Sequence, residues 1–314
     1  MRPAFLTRPP FRHVFPLREG GLAVLGYHRV GDPARTAWDP DLFSSTADEL
    51  DRHIGYLKRV HGIVGSDEAL QLLAGRRSGN PGGVPPVLLT FDDGYLDNYT
   101  TAYPVLAAHG VSATFFLVVD YVRGATVPWW DSIAWMCRRA RGEGELDGDV
   151  ALEARREAAA LIASYKSLDA ESARAMLEGL PARLGVAAPT NARELFLSVE
   201  QAREMVRGGM TIGAHTRTHP ILGKLPREQQ RDELRSGKAW LERELGCKVA
   251  TLAYPVGSSD AFTEETMREA RRAGYRACFS FHGGINDLAH TDVRDVKRIP
   301  VYFGVPDDDL VRPD

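Results

Sequence analysis

The chain has 314 residues, of which 44% are hydrophobic and 26% are charged, and its formal net charge is −3. This composition is typical of a globular protein with a large core. A nucleic-acid-binding protein is expected to be markedly basic, so the charge argues against a nucleic-acid partner. No stretch approaches the roughly 18 consecutive apolar residues that a membrane-spanning helix needs.

The N-terminal segment and the cysteines bear on the compartment. The first 21 residues are basic, but proline and arginine interrupt them before an apolar signal region can form, so no secretory leader is predicted. Cys137, Cys247 and Cys278 are widely spaced and odd in number, which favours buried reduced thiols over disulfides or a metal-binding pair. We therefore expect a cytoplasmic location.

Short apolar runs alternate along the chain with amphipathic stretches. The runs that resemble strands are 22–28, 87–93, 113–119, 210–215, 249–255, 276–281 and 296–303. The helical stretches are 47–60, 98–109, 200–208, 226–246 and 262–273, with Ser198 and Thr263 where N-caps belong. The runs contain β-branched residues and are almost continuously hydrophobic, as strands buried on both faces should be. This alternation predicts an α/β fold in which about seven parallel strands form a closed or nearly closed barrel.

Residues 121–199 interrupt this alternation. They are rich in alanine, arginine and glutamate, which are strong helix formers. We interpret them as a helical insertion on the barrel, so that residues 1–314 form a single domain.

Several polar residues lie at or just after the ends of predicted strands. They are His28, Asp92, Asp93, His215 and Tyr254. Because the carboxyl ends of parallel barrel strands meet at one face, we expect these side chains to lie close together there.

His215 and His219, three residues apart, can bind one ion from a tight loop. A carboxylate from another strand would complete a three-ligand site with open positions for water. Such a site suits one divalent cation, zinc first and cobalt, nickel or manganese as alternatives. If either Asp92 or Asp93 binds this ion, their mutual repulsion is relieved and the other can act as a general base. The alternatives are surface histidines and a D-D-G turn that caps a helix.

Two motifs resemble a known family. "TFDDG" at 90–94 and "HTRTH" at 215–219 are similar to the first two motifs of the polysaccharide deacetylases, the carbohydrate esterase family 4 or NodB-homology group. The resemblance covers most of residues 22–303 apart from the insertion. It implies a deformed (β/α) barrel and metal-dependent removal of an acetyl group from an N-acetylated sugar. It further implies that Asp92 is the base and that the metal ligands are Asp93, His215 and His219.

The third motif departs from the family pattern. Where the family carries an R-P-P-Y-G-like segment, this chain reads "AYPVG" at 253–257, so that Ala253 and Val256 replace the arginine and the tyrosine. The backbone N–H of Val256 can still stabilise an oxyanion. Arg298, in "VKRIPV", can reach the same carboxylate from the opposite side, or it can form a salt bridge at the barrel rim.

The final family motif, an L-x-H that supplies the general acid, is missing. "LGYHRV" at 25–30 is similar to the N-terminal Y-H-x-V of the branch that deacetylates poly-N-acetylglucosamine, where this strand supplies the acid. We therefore expect His28 to protonate the leaving amine, with its pKa raised by a nearby carboxylate. The alternatives are a hydrogen-bonded histidine at the barrel rim and an acid supplied by His282.

Aromatic residues are candidates for substrate contacts. Trp129, Trp130 and Trp135 can stack on sugar rings or anchor the insertion. Tyr95, Asn98 and Tyr254 lie close to the predicted site in sequence and are candidates for shaping a substrate groove.

Three functions remain open at this point. The first is hydrolytic N-deacetylation of an amino sugar, either in an oligo- or polysaccharide or in a precursor. The second is deacylation of a small N-acyl or O-acetyl compound. The third is a catalytically inactive carbohydrate-binding relative, which the two altered motifs favour and the intact set of two aspartates and two histidines opposes. The expected partner is an N-acetylated carbohydrate, and the sequence does not predict the oligomeric state.

Overall fold

The structure, a computed structural model, describes residues 20–76, 84–124, 126–142 and 148–311. Most of the segment that bears on a secretory leader, residues 1–19, lies outside this range. Within the described range, no helix combines the length and the apolar character needed to cross a bilayer. The three cysteines are free thiols, of which Cys137 and Cys278 are buried and Cys247 is half-buried.

The strands are short and lie mostly where the apolar runs predict them. In chain order they are β1 (Gly21–Tyr27), β2 (Arg29–Val30), β3 (Phe43–Ser45), β4 (Ile63–Val64), β5 (Val87–Asp93), β6 (Thr114–Leu117), β7 (Thr211–Ala214), β8 (Thr251–Ala253), β9 (Ala277–Phe279), β10 (Asn286–Asp287) and β11 (Ile299–Pro300). All seven predicted runs contain a strand. Strands β2, β3, β4 and β10 were not predicted, because runs of two or three residues carry no readable period.

The helices surround the sheet. They are α1 (Ala47–Val60), α2 (Ser66–Leu73), α3 (Tyr103–His109), α4 (Val119–Val122), α5 (Trp129–Arg139), α6 (Gly148–Ser167), α7 (Ala170–Leu184), α8 (Val199–Arg207), α9 (Arg227–Leu245) and α10 (Glu264–Arg272). A π-helical turn, Asn98–Ala102, precedes α3, and short 3₁₀ turns occupy Pro33–Arg35, Pro40–Leu42, Leu222–Lys224 and Asp307–Asp309. The predicted caps are confirmed, since the hydroxyls of Ser198 and Thr263 accept hydrogen bonds from backbone N–H groups in α8 and α10.

Parallel pairing curls the sheet into a deformed barrel. Strands β1, β5, β6, β7, β8 and β9 are neighbours in that order. On the side of β1 away from β5, β10 pairs antiparallel with its start and β11 pairs in parallel with its later residues. Val296 forms a parallel bridge with Phe279 of β9, so the segment 296–300 connects the two edges of the sheet. This confirms the predicted deformed (β/α) barrel of about seven parallel strands. The last strand is shorter than the predicted 296–303 because its pairing is divided between β9 and β1.

The core is built from strands that are buried on both faces. Every residue of β1 and β5 is buried, as their continuous hydrophobicity predicts. Alternate side chains pack into two clusters: one includes Leu50 and Ile54 of α1, and the other includes Phe116 and Phe279. Alternate residues of the same strands therefore pack against the outer helices and into the interior of the barrel.

The insertion is helical, as predicted. Helices α4 to α7 lie between β6 and α8, and α5 packs against both α6 and α7. Their apolar residues form a third cluster, which includes Trp129, Trp130 and Leu180 and reaches Tyr95 and Phe196 near the barrel. That residues 1–314 form one domain stays a prediction.

A glycine in β1 leaves space for an aromatic ring inside the barrel. A Cβ atom at Gly26 would lie only 2.4 Å from Cε2 of Phe281. We expect Gly26→Ala to lower the free energy of unfolding by roughly 1–3 kcal/mol through overpacking, as measured by urea denaturation. The control is Gly55→Ala in α1, where the nearest atom is Nη1 of Arg59 at 3.8 Å and alanine should stabilise the helix by up to about 1 kcal/mol. Equal stability of the two variants would contradict this packing constraint.

Candidate active site

A cavity of about 240 Å³ lies at the carboxyl ends of the barrel strands. Its walls include the side chains of His28, Asp92, Asp93, His215, His219 and Val256. Asp92 and Asp93 end β5, whereas the others follow β1, β7 and β8, so the fold brings together residues that are far apart in sequence. The expected convergence of strand ends therefore holds for these residues.

Asp93, His215 and His219 form a buried group whose ligand atoms converge. Oδ1 of Asp93 lies 3.6 Å from Nε2 of His215 and 3.4 Å from Nε2 of His219. Tetrahedral bonds of about 2.1 Å to one zinc ion would separate two ligand atoms by roughly 3.4 Å. All three ligand atoms lie within 4.8 Å of one another, so these residues fit a single divalent cation.

Hydrogen bonding and charge also suit a cation at this position. Nδ1 of His215 lies 2.8 Å from the carbonyl oxygen of Ala253, which can only accept, so Nδ1 carries the proton and Nε2 is free to bind a metal. Among the described residues, Oδ1 of Asp93, the oxygen nearest both Nε2 atoms, has no hydrogen-bond partner. Burial lowers the pKa of both histidines and keeps them neutral. Burial, followed by the charge of Asp92, raises the pKa of Asp93 well above its usual range, and a cation would reverse this shift.

Asp92 forms a two-point ion pair with Arg298. Nη1 and Nη2 of the guanidinium lie 2.6 and 2.7 Å from the two carboxylate oxygens. Burial opposes ionisation of Asp92, but the guanidinium lowers its pKa well below the ordinary value, so this carboxylate is charged. Asp92 and Asp93 therefore have different environments although they are adjacent in sequence.

Arg298 lies inside the barrel and not at its rim. Its side chain is fully buried, and Nε donates to the carbonyl oxygen of Ser280 at 3.0 Å. The guanidinium carbon lies 4.5 Å from the centre of the Phe281 ring and 5.4 Å from that of Phe116. These contacts fix the plane of the guanidinium and, through it, the orientation of Asp92.

Unusual backbone conformations are concentrated at the cavity. Among the described residues, four other than glycine have positive φ angles: Asp93 at 73°, Thr216 at 67°, His219 at 63° and Val256 at 64°. Such conformations cost free energy for residues with a Cβ atom and persist where the surrounding structure enforces them. Oγ1 of Thr216 accepts the N–H of His219 at 3.0 Å, which is part of that enforcement.

Val256 lines the cavity and carries a backbone N–H. Among the described residues this N–H has no backbone hydrogen-bond acceptor, whereas the N–H of Gly257 donates to the carbonyl oxygen of Pro255 at 2.7 Å. The replacement of the family's usual tyrosine therefore does not remove the donor.

His28 lines the cavity and is held through its backbone. Its N–H donates to Oγ of Ser44 at 3.0 Å, and its carbonyl oxygen accepts from Nδ2 of Asn98 at 2.8 Å. Burial lowers the pKa of His28 to about 4, and this exceeds the opposing effect of Asp92. The net shift is opposite to the rise expected from the sequence. The competing candidate, His282, lies outside the cavity wall, with Nε2 3.4 Å from Oδ1 of Asp295.

Two tyrosines named as substrate contacts do not line the cavity. The hydroxyl of Tyr95 donates to Oδ2 of Asp131 at 2.6 Å, in a fully buried position. The hydroxyl of Tyr254 donates to the carbonyl oxygen of Arg294, and its ring stacks on Phe262 at 4.2 Å. Closeness in sequence to the site does not determine the direction of a side chain, and a substrate contact by either tyrosine stays a prediction that this geometry does not favour.

The tryptophans differ in their positions. Trp129 and Trp130 both line the cavity, but they are largely buried and also anchor the insertion. The Trp129 ring stacks on Tyr165 at 4.1 Å. The ring centre of Trp135 lies 6.4 Å from that of Trp38, and Trp135 does not line the cavity. Sequence reasoning missed several other residues of the wall, among them Asp39, Lys166 and Tyr302. Asp39 and Lys166 lie outside any recognisable motif.

Fold and site together define a deformed (β/α)-barrel protein with a buried Asp–His–His group able to hold a divalent cation. The family model described as polysaccharide deacetylase matches residues 79–278, and the chain belongs to this family. YxkH of Bacillus subtilis (strain 168), whose name describes it as a polysaccharide deacetylase, is 25% identical to this chain over 190 residues. The match covers 60% of this chain but only 42% of YxkH.

Two solved structures share the fold. The Streptococcus pyogenes deacetylase PplD, solved in complex with acetate, has a TM-score of 0.61 and 20% identity, covering 92% of this chain and 96% of that chain. IcaB from Ammonifex degensii has a TM-score of 0.58 and 24% identity, covering 93% of this chain and 94% of that chain. At these identities the likeness shows the fold alone.

The Asp–His–His group makes zinc binding testable apart from catalysis. We expect zinc to bind the metal-free protein and raise its melting temperature, because only the folded state assembles the three ligands. His219→Ala should weaken zinc binding by at least about 100-fold, since outer-shell changes alone often cost 10–100-fold. The measurements are isothermal titration calorimetry and elemental analysis. His282→Ala is the control and should bind zinc normally, and equal affinities of the two variants would exclude His219 as a ligand.

Proposed function

We propose that this protein is a metal-dependent hydrolase that removes the acetyl group from an N-acetylated amino sugar. The observation that carries the proposal is one cavity whose wall holds Asp92, which is paired with the buried Arg298, beside the Asp93–His215–His219 group. This arrangement provides a general base next to a cation site, as hydrolysis of an amide requires.

In this proposal Asp93, His215 and His219 hold one divalent cation, with zinc the first candidate and cobalt, nickel or manganese also suited to the ligands. A bound cation would polarise the acyl carbonyl and make a nearby water more acidic. The neutral imidazoles and the carboxylate without a hydrogen-bond partner support this assignment.

Asp92 is proposed to accept a proton from the attacking water. Its low pKa makes it a weak base, which suffices only for a water whose own pKa is lowered. Arg298 keeps Asp92 ionised and orients both of its oxygens. In this role Arg298 takes the place of the family's usual arginine, whose position is occupied by Ala253.

The remaining roles concern charge on the acetamide group. The N–H of Val256 is proposed to donate to the oxygen that becomes negative during attack. His28 is proposed to protonate the leaving nitrogen. Because its pKa is about 4, His28 is neutral in the resting protein and must gain a proton during turnover. The proton taken up by Asp92 from water is available for this transfer.

The substrate class follows from the N-terminal motif. "YHRV" at 27–30 is similar to the branch that acts on poly-N-acetylglucosamine, and it contains the proposed acid. An expected cytoplasmic location would favour an oligosaccharide or a precursor. Deacylation of a small N-acyl or O-acetyl compound is the alternative substrate class. An inactive carbohydrate-binding relative would have no need of a charged Asp92 beside the cation site.

The base assignment is tested by Asp92→Asn. An amide cannot accept the proton, so we expect kcat for acetate release from N-acetylglucosamine tetramer to fall by about 10³-fold or more. Zinc content should stay that of the wild type, because the three ligands remain. Asp51→Asn, a change at an exposed carboxylate, is the control and should keep full activity. Undiminished turnover by Asp92→Asn would exclude this residue as the base.

The acid assignment is tested by His28→Gln with two substrates. An amine needs protonation to leave, whereas a nitrophenolate leaves readily without it. We therefore expect about 10²-fold loss or more on the sugar amide and a much smaller loss on p-nitrophenyl acetate. An equal loss on both substrates would show that His28 acts by some route other than proton donation.

A further inference from the structure

An exposed aromatic side chain borders the cavity. Among the described residues, the exposed large hydrophobic side chains are Val60, Tyr302 and Phe303. Tyr302 is 55% exposed and lines the cavity that contains Asp92 and His28. Phe303 is its immediate neighbour and is also exposed, but it does not line the cavity. Exposed apolar surface that is continuous with a functional cavity is typical of a binding site.

A fixed carboxylate lines the same cavity from another segment of the chain. Asp39 precedes the 3₁₀ turn Pro40–Leu42, and its Oδ1 accepts the N–H of Asp41 at 3.0 Å. The N–H of Asp39 donates to Oδ1 of the fully buried Asp131 at 2.9 Å, which ties this loop to α5. Within the described part of the chain, Oδ2 of Asp39 receives no hydrogen bond. The loop therefore holds an acceptor that is available to a ligand.

We propose that Tyr302 and Asp39 form a subsite for the sugar ring next to the one that is deacetylated. A pyranose ring has an apolar C–H face, which can stack on the Tyr302 ring, and hydroxyl groups, which can donate to Oδ2 of Asp39. The subsite rests on the proposed function. It makes an oligosaccharide, and not a monosaccharide or a small acyl compound, the preferred substrate.

The test compares two substrates of the zinc-loaded protein, N-acetylglucosamine and its tetramer. The measured quantity is the ratio of kcat/KM for the tetramer to that for the monosaccharide. We expect the ratio to exceed one in the wild type and to fall about fivefold to tenfold in Tyr302→Ala, through a rise in KM for the tetramer. Tyr302→Phe should largely keep the ratio, because it retains the ring.

Asp39→Asn tests the polar half of the subsite. Asparagine keeps an oxygen for the N–H of Asp41 but replaces the second acceptor oxygen by an NH₂ donor, so we expect the ratio to fall about fivefold. Phe303→Ala is the matched control, since it removes an adjacent exposed ring that does not line the cavity, and it should leave the ratio unchanged. Melting temperatures of all variants establish that they are folded.

The outcomes separate this proposal from the proposed function. If neither sugar releases acetate with the wild type, the deacetylase function fails. If acetate is released but the wild type shows no preference for the tetramer, or Tyr302→Ala keeps the wild-type ratio, the subsite is overturned. An equal fall in Phe303→Ala would also overturn it, because the effect would then not depend on the ring that lines the cavity.

Discussion

The site depends on how two adjacent buried carboxylates are kept from repelling each other. Asp92 and Asp93 end the same buried strand, where desolvation opposes the ionisation of both. Arg298 compensates the charge of Asp92 from inside the barrel. Within the described part of the chain, Asp93 has no such partner, and it faces two neutral imidazoles. A cation would complete the electrostatics of this pair, and the two aspartates differ in their surroundings although they are adjacent in sequence.

The segment 296–302 connects the architecture with this chemistry. It pairs with β9 at Val296 and with β1 at Ile299, and thereby joins the edges of the barrel. Between these two positions it supplies Arg298 to Asp92, and two residues after β11 it supplies Tyr302 to the cavity. Closure of the barrel and ionisation of Asp92 thus depend on the same few residues. A change that displaces this segment would disturb both.

Local patterns in the sequence predicted the elements, whereas long-range packing decided the details. The hydrophobic continuity of β5 and the caps of α8 and α10 are local signals, and each was confirmed. The divided pairing of the last strand joins residues over 200 positions apart and cannot be read from a period. The pKa of His28 depends on the degree of burial, which a motif does not report.

The strand-end rule located most of the candidate site and failed where side-chain direction mattered. It placed Asp92 and His215 at one cavity, but Tyr254, which also follows a strand, points to Phe262. Asp39 was missed because its loop has no motif and is tied to α5 by a long-range bond to Asp131. The roles of the residues in catalysis stay predictions that depend on the experiments above.

The helical insertion is part of the site and not an appendage to it. The Trp130 ring lies edge-on to His219 at 4.6 Å, and its Nε1 donates to the hydroxyl of Tyr95. Tyr95 in turn donates to Asp131, whose other oxygen accepts the N–H of Asp39. One chain of contacts therefore runs from a proposed metal ligand to the proposed substrate wall. Because α5 carries the centre of this chain, changes in the insertion can alter the substrate wall while the aspartates and histidines of the barrel stay the same.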